Sequence, residues 1–244
     1  MKPRQKIKQN VVNQIAKTTL YENVSELMKM QQIYEAGIKE IRTKLEILDA
    51  EFKVKHDHNP IHHIESRLKS PESILKKAIN KDIPVTERSL EENIHDIAGI
   101  RVICNYVDDV YKVAQLLTDQ DDIRLVEVKD YIANPKESGY MSLHLVLEVP
   151  IFLSEGSKPI HVEVQLRTIA MDFWASLEHK LKYKKDIASD QLTADLKKCA
   201  DESAALDLKM DAIRKEIEVL KAPEAKAIGR EVKHLPGGIL NENQ

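Results

Sequence analysis

The segment His161-Val162-Glu163-Val164-Gln165-Leu166-Arg167-Thr168 alternates polar and apolar residues without error. Successive side chains of a strand project to opposite faces, so His161, Glu163, Gln165 and Arg167 share one face and Val162, Val164 and Leu166 the other. The hydrocarbon face belongs against a core, and the opposite face carries groups able to do chemistry. Just upstream, Pro135-Lys136-Glu137-Ser138-Gly139-Tyr140-Met141-Ser142-Leu143-His144 reads as a turn in which Gly139 permits tight backbone, followed by an aromatic ring, a hydroxyl and an imidazole. Together the two stretches point to a nucleotide site.

Working outward, further strand candidates are Ile100 to Asn105, Arg124 to Val128 and Leu143 to Val149. Asp108 to Leu117 reads as a helix capped by Asp108, with Val110, Val113, Ala114 and Leu117 inward. Pro71 is placed to start a helix over Glu72 to Ile79, and Gly156-Ser157-Lys158-Pro159 to turn a hairpin between the last two strands. The pattern predicts an α+β fold: a mixed β-sheet of about five strands flanked by helices. After Thr168, the fourfold spacing of Ile169, Phe173, Leu177 and Leu181 reads as a core stripe, with Trp174 packing beside it.

Two heptad runs bracket this middle. Leu20, Val24, Leu27, Gln31, Tyr34, Ile38, Ile41, Leu45, Leu48 and Phe52 form the seam of a long helix that packs on another helix. Leu192, Leu196, Cys199, Ser203, Leu206, Met210, Ile213, Ile217 and Leu220 repeat the spacing. Such seams serve a subunit interface or packing within one subunit. Ala222-Pro223-Glu224 is the expected stop of the second helix. The expected division is a helical region over 1–58, a core over 59–186, a helix over 187–222 and a mobile tail over 223–244.

The 244 residues are 42% hydrophobic and 32% charged, with seven glycines, which fits a helix-rich chain able to bury a core. A formal net charge of -3 gives no general attraction for nucleic acid or an anionic membrane, so phosphate binding needs a local basic cluster. Cys104 and Cys199 have no partner at metal or redox spacing, which suits a reducing cytoplasm. No signal-peptide or membrane-spanning run is present: the longest apolar stretch, Leu143 to Leu153, is broken by His144, Glu148 and Pro150.

Five segments, in order, carry a resemblance: Arg67-Leu68-Lys69-Ser70-Pro71-Glu72-Ser73, Asp96-Ile97-Ala98-Gly99-Ile100-Arg101, Lys129-Asp130-Tyr131-Ile132, Gly139-Tyr140-Met141-Ser142-Leu143-His144 and Glu163-Val164-Gln165-Leu166-Arg167-Thr168. Over about residues 60 to 184 the chain resembles the RelA/SpoT-type guanosine tetra- and pentaphosphate synthetases, and its length resembles their stand-alone small alarmone synthetases. The resemblance implies a nucleotidyltransferase-like core that moves the β,γ-pyrophosphate of ATP to the 3′-OH of GDP or GTP. It further implies Mg2+ held by Asp96 and Glu163, and a homotetramer built from the terminal helices. RNA binding is a further partner that the resemblance leaves open.

The residues suit that chemistry. Pyrophosphate transfer calls for a metal, cations against the triphosphate and a platform for the acceptor. Magnesium prefers a few carboxylates plus phosphate oxygens, which Asp96 and Glu163 offer; read without the motifs, Asp96 is better explained as an N-terminal helix carboxylate and Glu163 as a core salt bridge with Arg101 or Arg167. Arg67, Lys69, Ser73, Lys76 and Lys77 gather charge and a hydroxyl around the helix start after Pro71. By resemblance Arg67, Lys69, Ser73, Lys77 and Arg101 bind ATP. The Tyr140 ring offers a stacking shelf for guanine, and Gln165 has a donor and an acceptor to read it. By resemblance Lys129, Lys136, Tyr140, His144, Gln165, Asp172 and Ala175 form the guanine-nucleotide site, with Glu163 also positioning or deprotonating the hydroxyl. Glu178 and His179 lie off the apolar stripe and either line the site or meet solvent.

Other readings compete. His56, His58, His62 and His63 are a candidate transition-metal cluster, though loop histidines are usually free of metal. His95-Asp96 spells the dipeptide of alarmone-degrading phosphohydrolases, whose further ligands find no counterpart at suitable spacing. A non-catalytic nucleotide or RNA sensor would have lost a carboxylate, and both are present. A transferase using an adenine nucleotide or a tRNA 3′ end would reuse the donor site; Ser138, where many long members carry Asn, is the departure that bears on acceptor choice.

Overall fold

The computed structural model describes the backbone of residues 3–183 and 190–231, and the side chains of residues 28–181 and 191–220. Its elements are α1 (Pro3–Lys55), β1 (Ile61–Leu68), α2 (Pro71–Asn80), α3 (Glu87–Asn93), β2 (Ala98–Cys104), α4 (Val107–Thr118), β3 (Arg124–Asp130), β4 (Leu143–Leu153), β5 (Gly156–Thr168), α5 (Ile169–Tyr183) and α6 (Asp190–Glu231). The sheet order is β1-β2-β5-β4-β3; β2 and β5 run parallel, and every other neighbouring pair is antiparallel.

The period-two reading of β5 sets the register. Ala98, Ile100 and Val102 of β2 stand beside Val162, Val164 and Leu166, and Leu143, Leu145 and Leu147 of β4 flank the other side. All nine are buried. Burying each valine or leucine contributes about 1.5–3 kcal/mol, and a one-residue slip would expose the set, so this register has no close competitor. Val110, Val113, Ala114 and Leu117 of α4 close over the same core, as their spacing predicts.

Several expectations are corrected. The α1 seam is real, with Tyr34, Ile38, Ile41, Leu45 and Phe52 buried, but it packs on the sheet rather than on a helix. Its close approach is set by Gly37, where a Cβ would lie 3.0 Å from Ile160 Cγ2 and 3.2 Å from Val162 Cγ2. Leu20, Val24 and Leu27 fall outside the described side chains.

Strand β1 has no counterpart among the sequence candidates. A register shift between Ile61 and His63 puts its two inward residues, Ile61 and Ile64, three apart, which destroys the period-two signal. The β4–β5 hairpin turns at Ser154-Glu155, because Leu153 pairs with Gly156 and Gly156 to Pro159 are strand. Pro150 and Pro159 face each other where the hairpin outruns β3 and β2, so their missing N–H groups break no outer ladder. Tyr106, not Asp108, is the N-cap of α4; Asp108 sits in the first turn and meets Lys215 at 2.9 Å.

Helix α6 runs past Ala222-Pro223-Glu224 to Glu231, since a proline within a long helix removes one hydrogen bond and need not end it; residues 232–244 of the expected tail lie outside the described residues. The α5 stripe is not core: Ile169, Phe173, Leu177 and Leu181 are exposed. Instead the other side of α5, with Met171, Trp174 and Ala175, is buried, and α6 packs there: Ala200 joins the cluster, Trp174 Nε1 donates to Leu196 O at 2.9 Å and Ser203 Oγ to Ala170 O at 3.0 Å. The α6 heptad residues Leu192, Leu206, Met210, Ile213, Ile217 and Leu220 are accordingly exposed too.

Candidate active site

The polar face of the sheet is organised in two rows that cross all five strands. One row reads Glu65, Arg101, Gln165, His144, Lys129; the next reads Arg67, Gly99, Glu163, Val146, Glu127. Gly99 contributes no side chain between Arg67 and Glu163, and there a cleft of about 290 Å³ opens. Arg67, Lys69, Asp96, Arg101, Glu163 and Gln165 all line it. The two carboxylates, distant in sequence, thus face one cavity.

Asp96 lies in the turn between α3 and β2. Lys69 Nζ donates to its Oδ2 at 2.6 Å, and Lys77 Nζ lies 2.8 Å from Oδ1. Burial pushes this carboxyl up, but the two ammonium groups outweigh burial and hold it below the usual aspartate range. Oδ1 is buried and, despite the nearby lysine, accepts no well-formed hydrogen bond. Lys77 comes from α2, whose N-cap Ser70 accepts from the Ser73 N–H at 3.3 Å; Ser73 therefore stands at the helix start.

Glu163 lies mid-strand on β5. His144 Nδ1 is 3.3 Å from its Oε1 and Gln165 Nε2 donates to Oε2 at 2.9 Å. Burial raises this carboxyl, the bonds from His144 and Gln165 lower it further than burial raises it, and the Asp96 charge opposes them. The net result is an ionised group at neutral pH. Neither arginine considered as its partner pairs with it: Arg101 and Arg167 both turn to Asp172 Oδ1, at 3.2 and 3.0 Å.

Beside the cleft, Tyr140, Tyr131 and His144 form a cluster of edge-on rings, with centroids 5.3 to 5.9 Å apart. Lys136 Nζ sits over both tyrosine rings, 4.4 Å from Tyr131 and 4.8 Å from Tyr140. Lys129 is one strand further out, opposite His144, and bonds Glu127 at 2.9 Å. Ala175 is buried with Trp174 and Ala200, the cluster against which Tyr140 packs, so it backs the shelf.

Residues of the motifs are thus brought together, with Ser73 set at the margin. Two others in the same place had a signal that was not used. Arg167 is on the polar face by the same alternation as Glu163, and Tyr131 follows Lys129-Asp130 directly. The histidine run disperses: His58 pairs with Asp109 at 2.8 Å, whereas His62 and His63 are exposed on β1. Among the described residues no group of three or more His, Cys, Asp or Glu side chains could hold a metal by itself.

Two carboxylates facing one cavity, both held below the usual carboxylate range, suit a hard divalent cation whose remaining ligands come from phosphate oxygens and water. Among the described residues no helix is long and apolar enough to cross a membrane.

Comparison with known proteins bears on this geometry. Residues 66–188 match the family model described as "Region found in RelA / SpoT proteins". The GTP pyrophosphokinase YwaC of Bacillus subtilis (strain 168) is 46% identical over 187 residues, covering 76% of this chain and 89% of that protein. GTP pyrophosphokinase YjbM of the same organism is 38% identical over 190 residues, covering 78% and 89%. Among solved structures, small alarmone synthetase 1 from Bacillus subtilis bound to its product pppGpp superposes with a TM-score of 0.74 at 36% identity, covering 80% of this chain and 99% of that one.

Proposed function

The chain belongs to the RelA/SpoT family, and from that premise we propose that it is a GTP/GDP pyrophosphokinase of the small alarmone synthetase type, making ppGpp and pppGpp from ATP and GDP or GTP. The acceptor ribose 3′ oxygen bonds to the β-phosphorus of ATP, the bridge from the α-phosphate to that phosphorus breaks, and AMP leaves. The 3′ proton passes to Glu163 or through it to solvent. The observation that carries the reading is that Asp96 and Glu163 line one cleft between a basic wall, Arg67 and Lys69, and an acceptor wall, Gln165 with the Tyr140 shelf behind it.

Most of the rate enhancement falls to alignment and charge neutralisation. Arg67, Lys69, Lys77 and Arg101 would hold the ATP phosphates, with Ser73 contributing at the α2 start. Tyr140 would stack on guanine, Gln165 and Asp172 would read its edge, Ala175 would back it, and Lys129, Lys136 and His144 would meet the acceptor's polar groups. Asp96 and Glu163 would hold Mg2+, which when bound neutralises charge on the phosphate oxygens. We further place the protein in the cytoplasm and in the stringent response. The exposed apolar stripes of α5 and α6 support a homotetramer.

The test incubates the purified protein with magnesium, labelled ATP and GDP, GTP or GMP, and identifies the products. Guanosine 3′-diphosphate products with AMP are expected, and Glu163→Gln should abolish them while the circular dichroism spectrum stays unchanged. Transfer only to an adenine nucleotide, or full turnover by the Glu163→Gln variant, would overturn the reading.

A further inference from the structure

Arg167 is nearly sealed from solvent, with 5% of its side chain exposed, yet its guanidinium reaches several of the groups assigned above. Its Nη2 donates to Tyr140 Oη at 2.6 Å and to Gln165 Oε1 at 3.1 Å. The Tyr140 hydroxyl, already accepting from Arg167, has one proton to give, and His144 Nε2 lies 2.8 Å away to take it. That leaves the imidazole proton on Nδ1, 3.3 Å from Glu163 Oε1. On the second arm, the Gln165 amide accepts from Arg167 at Oε1 and donates from Nε2 to Glu163 Oε2 at 2.9 Å. Both arms start at one guanidinium and end on the two oxygens of one carboxylate. Every donor and acceptor along them points the same way.

We propose that Arg167 is a positioning residue for the pyrophosphate transfer: acting through Tyr140 and His144 on one side and Gln165 on the other, it fixes the rotation of the Glu163 carboxylate and the tautomer of His144. The proposal rests on the synthetase reading of the site. A carboxylate gripped at both oxygens cannot turn about its terminal bond, and hydrogen bonds in series polarise one another, so the hold is firmer than either arm alone. The geometry needs arginine. Nη1 is committed to Asp172 at 3.0 Å while Nη2 forks to two acceptors, a planar division that a lysine ammonium cannot reproduce.

The test compares the wild type with Arg167→Lys, which keeps the charge and a partner for Asp172. Turnover should fall about 10- to 100-fold, while the KM for ATP, none of whose assigned ligands is in the network, moves by no more than about threefold. In a Tyr140→Phe background, where one arm is already cut, Arg167→Lys should cost less than in the wild type. Independently of turnover, nitrogen-15 resonances of the wild-type imidazole should report a proton on Nδ1 of His144, and Arg167→Lys should give a mixture of tautomers. Unchanged turnover in Arg167→Lys, losses that simply multiply in the double variant, or an Nε2 proton in the wild type would each overturn the proposal. Absence of synthesis by the wild type would instead sink the synthetase reading, with the tautomer measurement still deciding the network.

Discussion

Gly139 faces Ala200 of α6 so closely that a Cβ on Gly139 would collide with the Ala200 Cβ. Gly139 also has φ +86, a region that costs other residues about 1–2 kcal/mol. The loop that presents Tyr140 is therefore seated on the C-terminal helix by a missing methyl group. Gly139→Ala should raise the acceptor KM by about tenfold, equivalent to about 1.4 kcal/mol, with the ATP KM little changed. Adding Ala200→Gly should recover part of the loss, because it removes the collision and leaves the backbone strain. Steady-state kinetics in both nucleotides check this; no recovery in the double variant would count against the contact.

Asp96 stands between Lys69 and Lys77, two cations proposed to hold the donor phosphates. Asp96→Asn should lower turnover about 100-fold or more, the scale of losing one charge-stabilising group. Because it also removes an anion paired with Lys69 and Lys77, ATP binding without magnesium should hold steady or tighten. Calorimetric titration in a chelator reads the second effect, and weaker binding would contradict the arrangement.

Asp207 accepts from the Thr168 hydroxyl in a buried setting, and burial, with Asp211 beside it, pushes its carboxyl above the ordinary value of 3.8. The folded chain thus binds this proton more tightly than the unfolded one, so its contribution is favourable at low pH and is lost as pH rises from 3.8 through the raised value. Asp207→Asn keeps an oxygen for Thr168 without the charge. It should raise Tm by about 2–4 °C at neutral pH and confer no gain below the ordinary value. Thermal melts across pH test the sign.

The exposed stripe on α5 and the α6 seam leave Phe173 65% and Met210 49% accessible, and both line a groove of about 800 Å³ between the two helices. A subunit contact there should be broken by Phe173→Glu. Light scattering should show a mass of about one or two chains in place of a tetramer, with the circular dichroism spectrum unchanged. A wild type that is already monomeric would refute the assembly.

In the sheet, where the side-chain period was intact, sequence and structure agree. The alternation of β5 identified the faces of Val162 to Arg167, and the order of motifs brought Asp96 to Glu163. What was hidden depended on chain packing that no local pattern encodes. The bulge in β1 erased its alternation, the two prolines masked how far the hairpin extends, and the stripe from Ile169 to Leu181 could not announce that its hydrocarbon points outward. Arg167 was visible as a polar residue on the right face; its reach to four other side chains, Tyr140, Ser142, Gln165 and Asp172, required the sheet to be assembled.

The alternation along β5 divides its side chains into two sets with different duties. Every second residue of β5 is tied to the hydrocarbon interior, where Ile160 and Val162 meet α1 at Gly37. Of the residues between them, Glu163, Gln165 and Arg167 are tied to one another and to Tyr140 and His144. The pleat of a single strand thus parts the side chains that fold the sheet from those that build the cleft, and a change at Gln165 reaches Glu163 before it reaches the core.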